Sequence, residues 1–220
     1  MNNLPDISKG LDLNNPVLSI CVIISLLSLL PAVLVMLTSF TRIVVVLSLL
    51  RQGLGAQQIP PNPVIIGLSL FLTLFIMSPT LNAINTDAIQ PYSEKKITIG
   101  EAFHRAESPI KKFMLKQTRQ KDIALFIKLS KENAPVQPND IPLKIMIPAF
   151  AISELKTAFE IGFLIFLPFL VIDMVVASIL LSMGMMMLPP VMISLPFKLL
   201  LFVLVDGWNL LIGSIVRTFL

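Results

Sequence analysis

Long apolar stretches alternate with short polar breaks along the chain, and this pattern predicts an all-α, membrane-associated protein built of helical hairpins. Residues 17–50 are apolar apart from a few hydroxyl groups and Arg42. A bilayer span takes about 20 residues, so this run is too long for one upright helix and too short for two helices with a loop. The polar break that follows ends in PPNP at residues 60–63, which should terminate the helix.

The other apolar stretches are also poorly matched to a simple span. Residues 64–77 are short and reach the length of a span only if the helix continues through Pro79. Pro148 is expected to open the helix that leads into the apolar residues 161–183, and residues 191–219 form one final apolar segment. Either the bilayer is thinned around these helices, or many of them bury against protein, and we favour burial against protein.

Residues 87–144 have the composition of a small soluble helical insert. Thr98 and Glu101 have the spacing of a capping box, and Ser108-Pro109 has the pattern of a second helix start. Two partial apolar stripes at helical spacing predict one helix before Arg119 and another after it. The insert carries eleven Lys and Arg against seven Asp and Glu, which accounts for the whole net charge of +4.

These patterns divide the chain into a polar N-terminal segment (1–16), a first hydrophobic region (17–86), the insert (87–144) and a second hydrophobic hairpin region (145–220). Residues 1–16 lack the pattern of a signal peptide, so either the natural protein has none or the chain is processed. Arg42 and Arg51 should lie on the cytoplasmic side, with the N-terminus and the insert outside.

Composition argues against side-chain chemistry. The chain is 55% hydrophobic and contains one cysteine and one histidine, with a mean hydropathy of +0.85. A disulfide framework, a Cys or His metal site and a Ser/His relay are therefore not expected. Glycine-rich nucleotide loops are missing, and the phenylalanines of the insert have core spacing, not that of a nucleic-acid platform. We expect a protein that is not an enzyme, with no cofactor, no metal and no nucleic-acid partner.

Asp173 and Lys198 are costly at membrane depth and call for partners. Asp173 lies twelve residues before Met185, and Lys198 lies twelve residues after Met186. In an antiparallel helix pair that turns at these methionines, both charges sit at equal depth. They can then neutralise each other, within one chain or between neighbouring copies, or each can reach a wet surface separately.

The stretch SMGMMMLPP, residues 182–190, predicts the turn of this hairpin. Gly184 can end the first helix, and Pro189 and Pro190 allow the next to start, which leaves Met185, Met186 and Met187 in the connection. Methionine side chains are unbranched and flexible, so they fill irregular gaps. They form either a lipid-contacting loop or core filler, or, in a symmetric ring, a soft plug at the axis.

Four further charges are candidates for roles along a polar path. Glu154, Lys156 and Glu160 precede the apolar part of their helix and are either surface charges or groups that face a water-filled path or a partner. Asp206, with Asp173, would supply ion sites if the protein were an ion-coupled transporter or channel. Inverted repeats would support that alternative, and none is visible.

Several stretches together resemble the FliP/SctR family, the export-gate proteins of type III secretion, and favour its flagellar branch over the injectisome relatives. They are SFTRIVVVLSLLRQGLG with PPN (39–62), LFLTLFIMSP (70–79), SELKTAFEIGF (153–163), LPFLVIDMVVASILLSMGMMMLPP (167–190) and LPFKLLLFVLVDGW (195–208). The resemblance covers nearly the whole chain.

This resemblance implies a homo-pentamer that joins FliQ and FliR in a helical ring, with FlhB and FlhA as further partners and unfolded flagellar proteins as export substrates. It implies a location in the bacterial inner membrane at the flagellar basal body, with much of the complex on the periplasmic side. It also implies a methionine gasket at residues 185–187 and an ion pair between subunits made by Asp173 and Lys198. Arg42, Glu154, Lys156, Glu160 and Asp206 are then expected to be buried or to face the channel.

Overall fold

The computed structural model describes residues 20–21, 24–25, 28, 35–56, 59–130, 140–185 and 187–219. The chain divides into two units, Met1–Val35 and Met36–Leu220. The described residues of the first unit are helical, and Ile20 and Ile24 are exposed. Pro31, where the sequence suggests a kink, lies outside the described residues.

The second unit contains eight α-helices among its described residues, and those residues include no strand. In chain order they are α1 (Phe40–Leu54), α2 (Asn62–Ile84), α3 (Gln90–Ser93), α4 (Ile99–Gln117), α5 (Gln120–Ser130), α6 (Leu143–Ser182), α7 (Pro190–Leu204) and α8 (Gly207–Arg217), with a π-helical turn (Asn85–Ile89) between α2 and α3. The predicted all-α fold is confirmed.

Helix α1 lies at the centre of the main core and packs most extensively on α6. Its buried apolar residues recur every three or four positions, at Ile43, Val46, Leu47, Leu50 and Leu54. They meet side chains from α2, α6, α7 and α8. Gly162 of α6 permits this approach, because a Cβ at that position would lie 2.2 Å from a methyl carbon of Leu49. Helix α1 is therefore enclosed by protein, in line with the expectation that apolar helices bury against protein.

The insert helices α4 and α5 pack on the first part of α6 and form a second core cluster. Its buried members are Met114, Ile141, Ile145, Met146 and Phe150. The predicted capping box opens α4: the Thr98 N–H donates to Glu101 Oε2 (2.8 Å), and the Glu101 N–H donates to Thr98 Oγ1 (3.4 Å). The insert is thus joined to the second hydrophobic region by a shared core.

Two helix starts predicted from prolines are wrong. Helix α4 continues through Pro109 without a new start at Ser108, and α6 begins at Leu143, with Pro148 inside it. A proline removes one backbone donor and strains the helix, yet burial of apolar residues of the same helix offsets that cost. Met114 beyond Pro109, and Ile145 and Met146 before Pro148, are each buried in the second cluster.

The chain contains helices that are long and apolar enough to cross a membrane. Two qualify among the described residues, Asn62–Ser93 and Leu143–Ser182. The first continues through Pro79. Judged from its sequence, the segment needs this continuation to reach the length of a span. A third qualifies if Pro190–Leu204 and Gly207–Arg217 count together. That pair is bent by 66°, so the single apolar segment expected over 191–219 is two helices.

Candidate functional site

The methionine turn joins α6 to α7 and begins with a Schellman motif. The Gly184 N–H donates to the Leu181 carbonyl (3.1 Å), and the Met185 N–H donates to the Leu180 carbonyl (2.9 Å). Gly184 has φ +74°, a left-handed conformation that costs glycine little. Helix α7 then begins at Pro190, so both helix boundaries agree with the sequence prediction.

Two methionine side chains of this turn, those of Met185 and Met187, are exposed to solvent. Met187 is 98% exposed and Met185 is 39% exposed, while Met186 lies outside the described residues. Met183, directly after α6, and Met192, on α7, are exposed as well. This tip is neither the filler of a core within the chain nor an ordinary polar turn. An exposed cluster of large apolar side chains favours a surface that meets lipid or protein.

Below this turn, Asp173 of α6 and Lys198 of α7 form an ion pair within one chain. Lys198 Nζ lies 2.7 Å from Asp173 Oδ2 and also donates to the Gly53 carbonyl at 3.0 Å. The hydroxyl of Ser194 donates to Asp173 Oδ1 at 2.5 Å. The Lys198 side chain is 2% exposed, whereas that of Asp173 is 29% exposed. The residue spacing left open whether Asp173 and Lys198 pair within one chain or between neighbouring copies. The structure shows the pair within one chain. An ion pair between subunits stays a prediction.

The carbonyl of Gly53 belongs to the last turn of α1, so this ion pair joins three helices. Carbonyl groups at a helix C-terminus carry partial negative charge and favour a nearby cation. Lys198 is therefore held by one full and one partial negative charge. The cross-link therefore ties α6 and α7 to each other and to the end of α1.

A second ion pair lies at the other end of α1, where Arg42 meets Glu154 of α6. Arg42 Nε donates to Glu154 Oε2 at 2.9 Å, and Nη2 donates to Glu154 Oε1. Nη2 also donates to Gln117 Oε1 (3.1 Å), and Nη1 donates to Thr218 Oγ1 (2.9 Å) and to the Thr218 carbonyl (3.4 Å). All five guanidinium donors of Arg42 are thereby matched with acceptors.

The ion pair at the centre of this network is closed to solvent, and Arg42 also makes an aromatic contact. Arg42 is 2% exposed and Glu154 is fully buried. The guanidinium carbon lies 3.9 Å from the ring centroid of Phe219, a geometry that favours a cation. Gln117 donates from its amide to the Phe219 carbonyl at 3.2 Å. The network ties α1, α4, α6 and residues 218–219 together.

The remaining candidate charges lie at the surface of the chain. Arg119 Nη2 is 2.5 Å from Glu160 Oε2 and 3.3 Å from Thr157 Oγ1, and its backbone N–H donates to the buried Ser153 hydroxyl at 2.9 Å. Lys156 and Glu160 are exposed. The Arg119–Glu160 ion pair holds the start of α5 against α6. Because it is exposed to solvent, it contributes little to the free energy of unfolding.

Asp206 occupies the bend between α7 and α8. Its φ of +49° is left-handed, and its carboxylate makes no side-chain cap to α8. The residue is exposed. A non-glycine residue in this conformation is uncommon, and the bend that it allows turns α8 back onto the core through Leu211 and Ile215.

Sequence reasoning missed several participants in these sites. Ser194 had a usable signal, because it lies four residues before Lys198 and so shares its helix face. Gln117, Thr218 and Phe219 had none, since their contacts with Arg42 join positions that are far apart in the chain. In the part of the chain that the structure describes, no group of three or more His, Cys, Asp or Glu residues could hold a metal ion.

Comparison with known proteins identifies the family of the chain. The model of the FliP family matches residues 23–215. The chain belongs to the FliP family. The matched range contains the methionine turn and all four residues of the two buried ion pairs, whereas Thr218 and Phe219 lie just beyond it.

Individual FliP relatives match over most of their length. The flagellar biosynthetic protein FliP of Bacillus subtilis is 56% identical over 221 residues, covering 100% of both chains. That of Pectobacterium carotovorum is 54% identical over 90% of this chain and 77% of its own. That of Aquifex aeolicus is 55% identical over 90% of this chain and 84% of its own.

Proposed function

We propose that the chain is a core subunit of the flagellar type III protein export gate, the pore through which unfolded flagellar proteins leave the cell during assembly of the flagellum. Membership of the FliP family supports this role, and the relatives above carry a flagellar name. Five copies form a ring with FliQ and FliR, and FlhB and FlhA dock on it. The ring lies in the inner membrane at the basal body, largely on its periplasmic side.

The observation that carries the proposal is the exposed methionine tip on a cross-linked hairpin. In a ring, each copy brings the side chains of Met185, Met186 and Met187 to the axis, where flexible apolar groups close a gap and yield when a polypeptide passes. Burial of these side chains by neighbouring copies removes the apolar exposure seen in one chain. The tip then acts as a gasket that blocks ions and small solutes.

The ion pair below the tip is suited to act between copies as well as within one. Lys198 is enclosed by its own chain, but the side chain of Asp173 is 29% exposed. For a pair between copies, the Lys198 of a neighbouring copy would have to leave its contacts within its own chain and approach this open side of Asp173. Exposed Lys156, Glu160 and Asp206 supply further polar groups for the path or for partner subunits.

The test is the composition of the complex in the bacterium that encodes the chain. A tagged copy, expressed at its natural level and extracted in mild detergent, should purify as a ring of five with FliQ and FliR. Deletion of the gene should abolish flagellar filaments and protein export. Recovery of the chain only as a monomer, or normal filaments after deletion, would refute the proposal.

A further inference from the structure

Ser194 of α7 has a completely buried hydroxyl group beside the Asp173–Lys198 ion pair. The residue is 0% exposed, so its hydroxyl depends on acceptors of the protein. A buried hydroxyl without a hydrogen bond is destabilising. The hydroxyl oxygen lies 2.5 Å from Asp173 Oδ1 on α6 and 3.1 Å from the backbone carbonyl of Val191 on its own helix. Because a serine carries one hydroxyl hydrogen, these two oxygens compete as its acceptors.

The orientation of the Asp173 carboxylate depends on two contacts with α7. Lys198 Nζ lies 2.7 Å from Oδ2, and the Ser194 hydroxyl donates to the other oxygen, Oδ1. The last torsion of an aspartate side chain is broad, so the ammonium contact alone leaves the plane of the carboxylate free to rotate. A second donor on the other oxygen fixes that plane. Since the Asp173 side chain is partly exposed, this second donor also holds Oδ1 against competition from water.

Ser194 and Lys198 are spaced to act together on one carboxylate. They lie four residues apart and share a face of α7. Both are buried, and each has a backbone acceptor besides Asp173: the Val191 carbonyl for the hydroxyl, and the Gly53 carbonyl at 3.0 Å for the ammonium group. Backbone acceptors can therefore hold both donors in place when the carboxylate is absent.

We propose that Ser194 is a positioning residue, whose hydroxyl orients the Asp173 carboxylate for its ion pair with Lys198. This role deepens the function proposed above and, as far as assembly of the ring is concerned, rests on it. In the structure the carboxylate comes from the same chain. If copies in a ring exchange partners, the same two donors receive the Asp173 of a neighbouring copy. The stability of the isolated chain tests the orienting role without reference to export.

A double-mutant cycle on the isolated chain in detergent, followed by thermal unfolding, is the test. Ser194→Ala should lower the melting temperature by about 3 °C, because Asp173 Oδ1 loses its buried donor. In the Asp173→Ala background the same change should lower it by less than about 1 °C, since the hydroxyl there keeps only the Val191 carbonyl. A serine with a merely structural role would cost the same in both backgrounds, because effects that do not interact are additive.

The matched control is Ser69→Ala. Ser69 is as fully buried as Ser194, but its hydroxyl donates to the Ile65 carbonyl of its own helix, at 2.7 Å. Its effect should be the same with and without the Asp173 carboxylate. Ser194→Cys keeps a side chain of similar shape but offers only a weak donor, so it should lose about as much as Ser194→Ala.

Equal losses from Ser194→Ala in the two backgrounds, or a Ser194→Cys chain as stable as the parent, would overturn the proposal. The mass of the extracted complex gives the second readout, and Ser194→Ala should reduce assembly of the ring as Asp173→Ala does. If the parent chain itself forms no ring, the proposed function fails, whereas the cycle on the isolated chain still decides the role of Ser194.

Discussion

The two buried ion pairs lie at opposite ends of α1 and differ in how completely the chain encloses them. At the start of α1, Arg42 and Glu154 are both sealed, and every guanidinium donor has an acceptor within the chain. At the end of α1, Lys198 is sealed, but the side chain of Asp173 remains partly open. The first pair is complete in one chain, whereas the second keeps one face for another contact.

This difference separates what the folded chain needs from what an assembly can use. A buried charge is costly when its partner is removed, because no water replaces the lost contact. A carboxylate that is partly solvated loses less, since water takes over part of the interaction. The closed pair should therefore dominate the stability of the chain, and the open pair should affect stability less but assembly more.

Removal of Glu154 is expected to have the largest effect on stability. Glu154→Ala leaves the Arg42 guanidinium buried without its counter-ion, which should cost about 3–5 kcal/mol and lower the melting temperature by roughly 10 °C. Thermal unfolding of the detergent-solubilised chain, followed by circular dichroism, measures this loss.

The double variant Arg42→Met/Glu154→Leu is the control for this prediction. It removes both charges and fills the site with apolar groups, so it should recover much of the lost stability. If the double variant melts as low as Glu154→Ala, the loss of stability comes from the shape of the site and from the contacts with Gln117 and Thr218. The unpaired buried charge would then not explain why the two ion pairs differ.

Asp173→Ala also leaves a buried cation, Lys198, but it should cost less, about 2 kcal/mol. Water already reaches the site of the removed carboxylate, and Lys198 keeps its hydrogen bond to the Gly53 carbonyl. Asp173→Ala should nevertheless cost more than Lys198→Ala, which leaves no buried charge behind. Both variants should weaken assembly of the ring. Thermal unfolding of the isolated chain and the mass of the extracted complex give the two readouts separately.

Charge exchange at these positions sharpens the distinction between contact within and between chains. In Asp173→Lys/Lys198→Asp the new carboxylate faces the Gly53 carbonyl, so the stability of the isolated chain should stay low. If the exchanged variant assembles better than either single variant does, this would nevertheless support the ion pair between subunits. If stability returns but assembly does not, the pair acts only within the chain.

The open pair was within reach of sequence reasoning, whereas the closed pair was not. Asp173 and Lys198 flank one turn at equal distance, and hairpin geometry brings such positions together. Arg42 and Glu154 are 112 positions apart, and no local period relates them. Their contact depends on how α1 packs against α6, which is decided by many apolar side chains acting together.

The same limit explains the two misplaced helix starts. Local rules place a boundary near a proline, but Pro109 and Pro148 lie within helices whose apolar neighbours are buried in the second core cluster. Tertiary packing offsets the local cost in both cases. The capping box at Thr98 was predictable, because its partners are three residues apart and nothing distant competes with them.

A smaller effect is expected at the N-terminus of α4, whose other end carries Gln117 of the closed network. The hydrogen bond from the Thr98 backbone N–H holds the pKa of Glu101 below its ordinary value of 4.5. The folded chain thus binds this proton more weakly than the unfolded chain, so the stabilisation is complete above the unfolded pKa. It disappears as the pH falls through the lower, folded pKa.

Hydrogen exchange of the amides in the first turn of α4 measures this loss. Protection should fall with pH in the parent chain, whereas in Glu101→Gln it should be weaker throughout and lack this pH dependence. The Arg42 end of α4 should keep its protection in both. Identical pH profiles for the two chains would contradict the role of the carboxylate, and loss of protection along all of α4 would show that its two ends are not independent.

Replacement of Met185, Met186 and Met187 by alanine should have the smallest effect on the stability of the isolated chain. Met187 makes almost no contact within the chain and Met185 is partly exposed, so their truncation removes little buried surface. The open pair and its cross-link to α1 are untouched. The melting temperature should therefore stay within about 2 °C of the parent value.

Closed complexes should instead leak ions, because three smaller side chains per copy leave a gap at the axis. Ion flux across cells or vesicles that contain the complex measures this leak, and Met192→Ala, an exposed methionine on α7, is the matched control. A lower melting temperature with unchanged permeability would place these methionines in the core of the fold and remove the gasket from the proposed function.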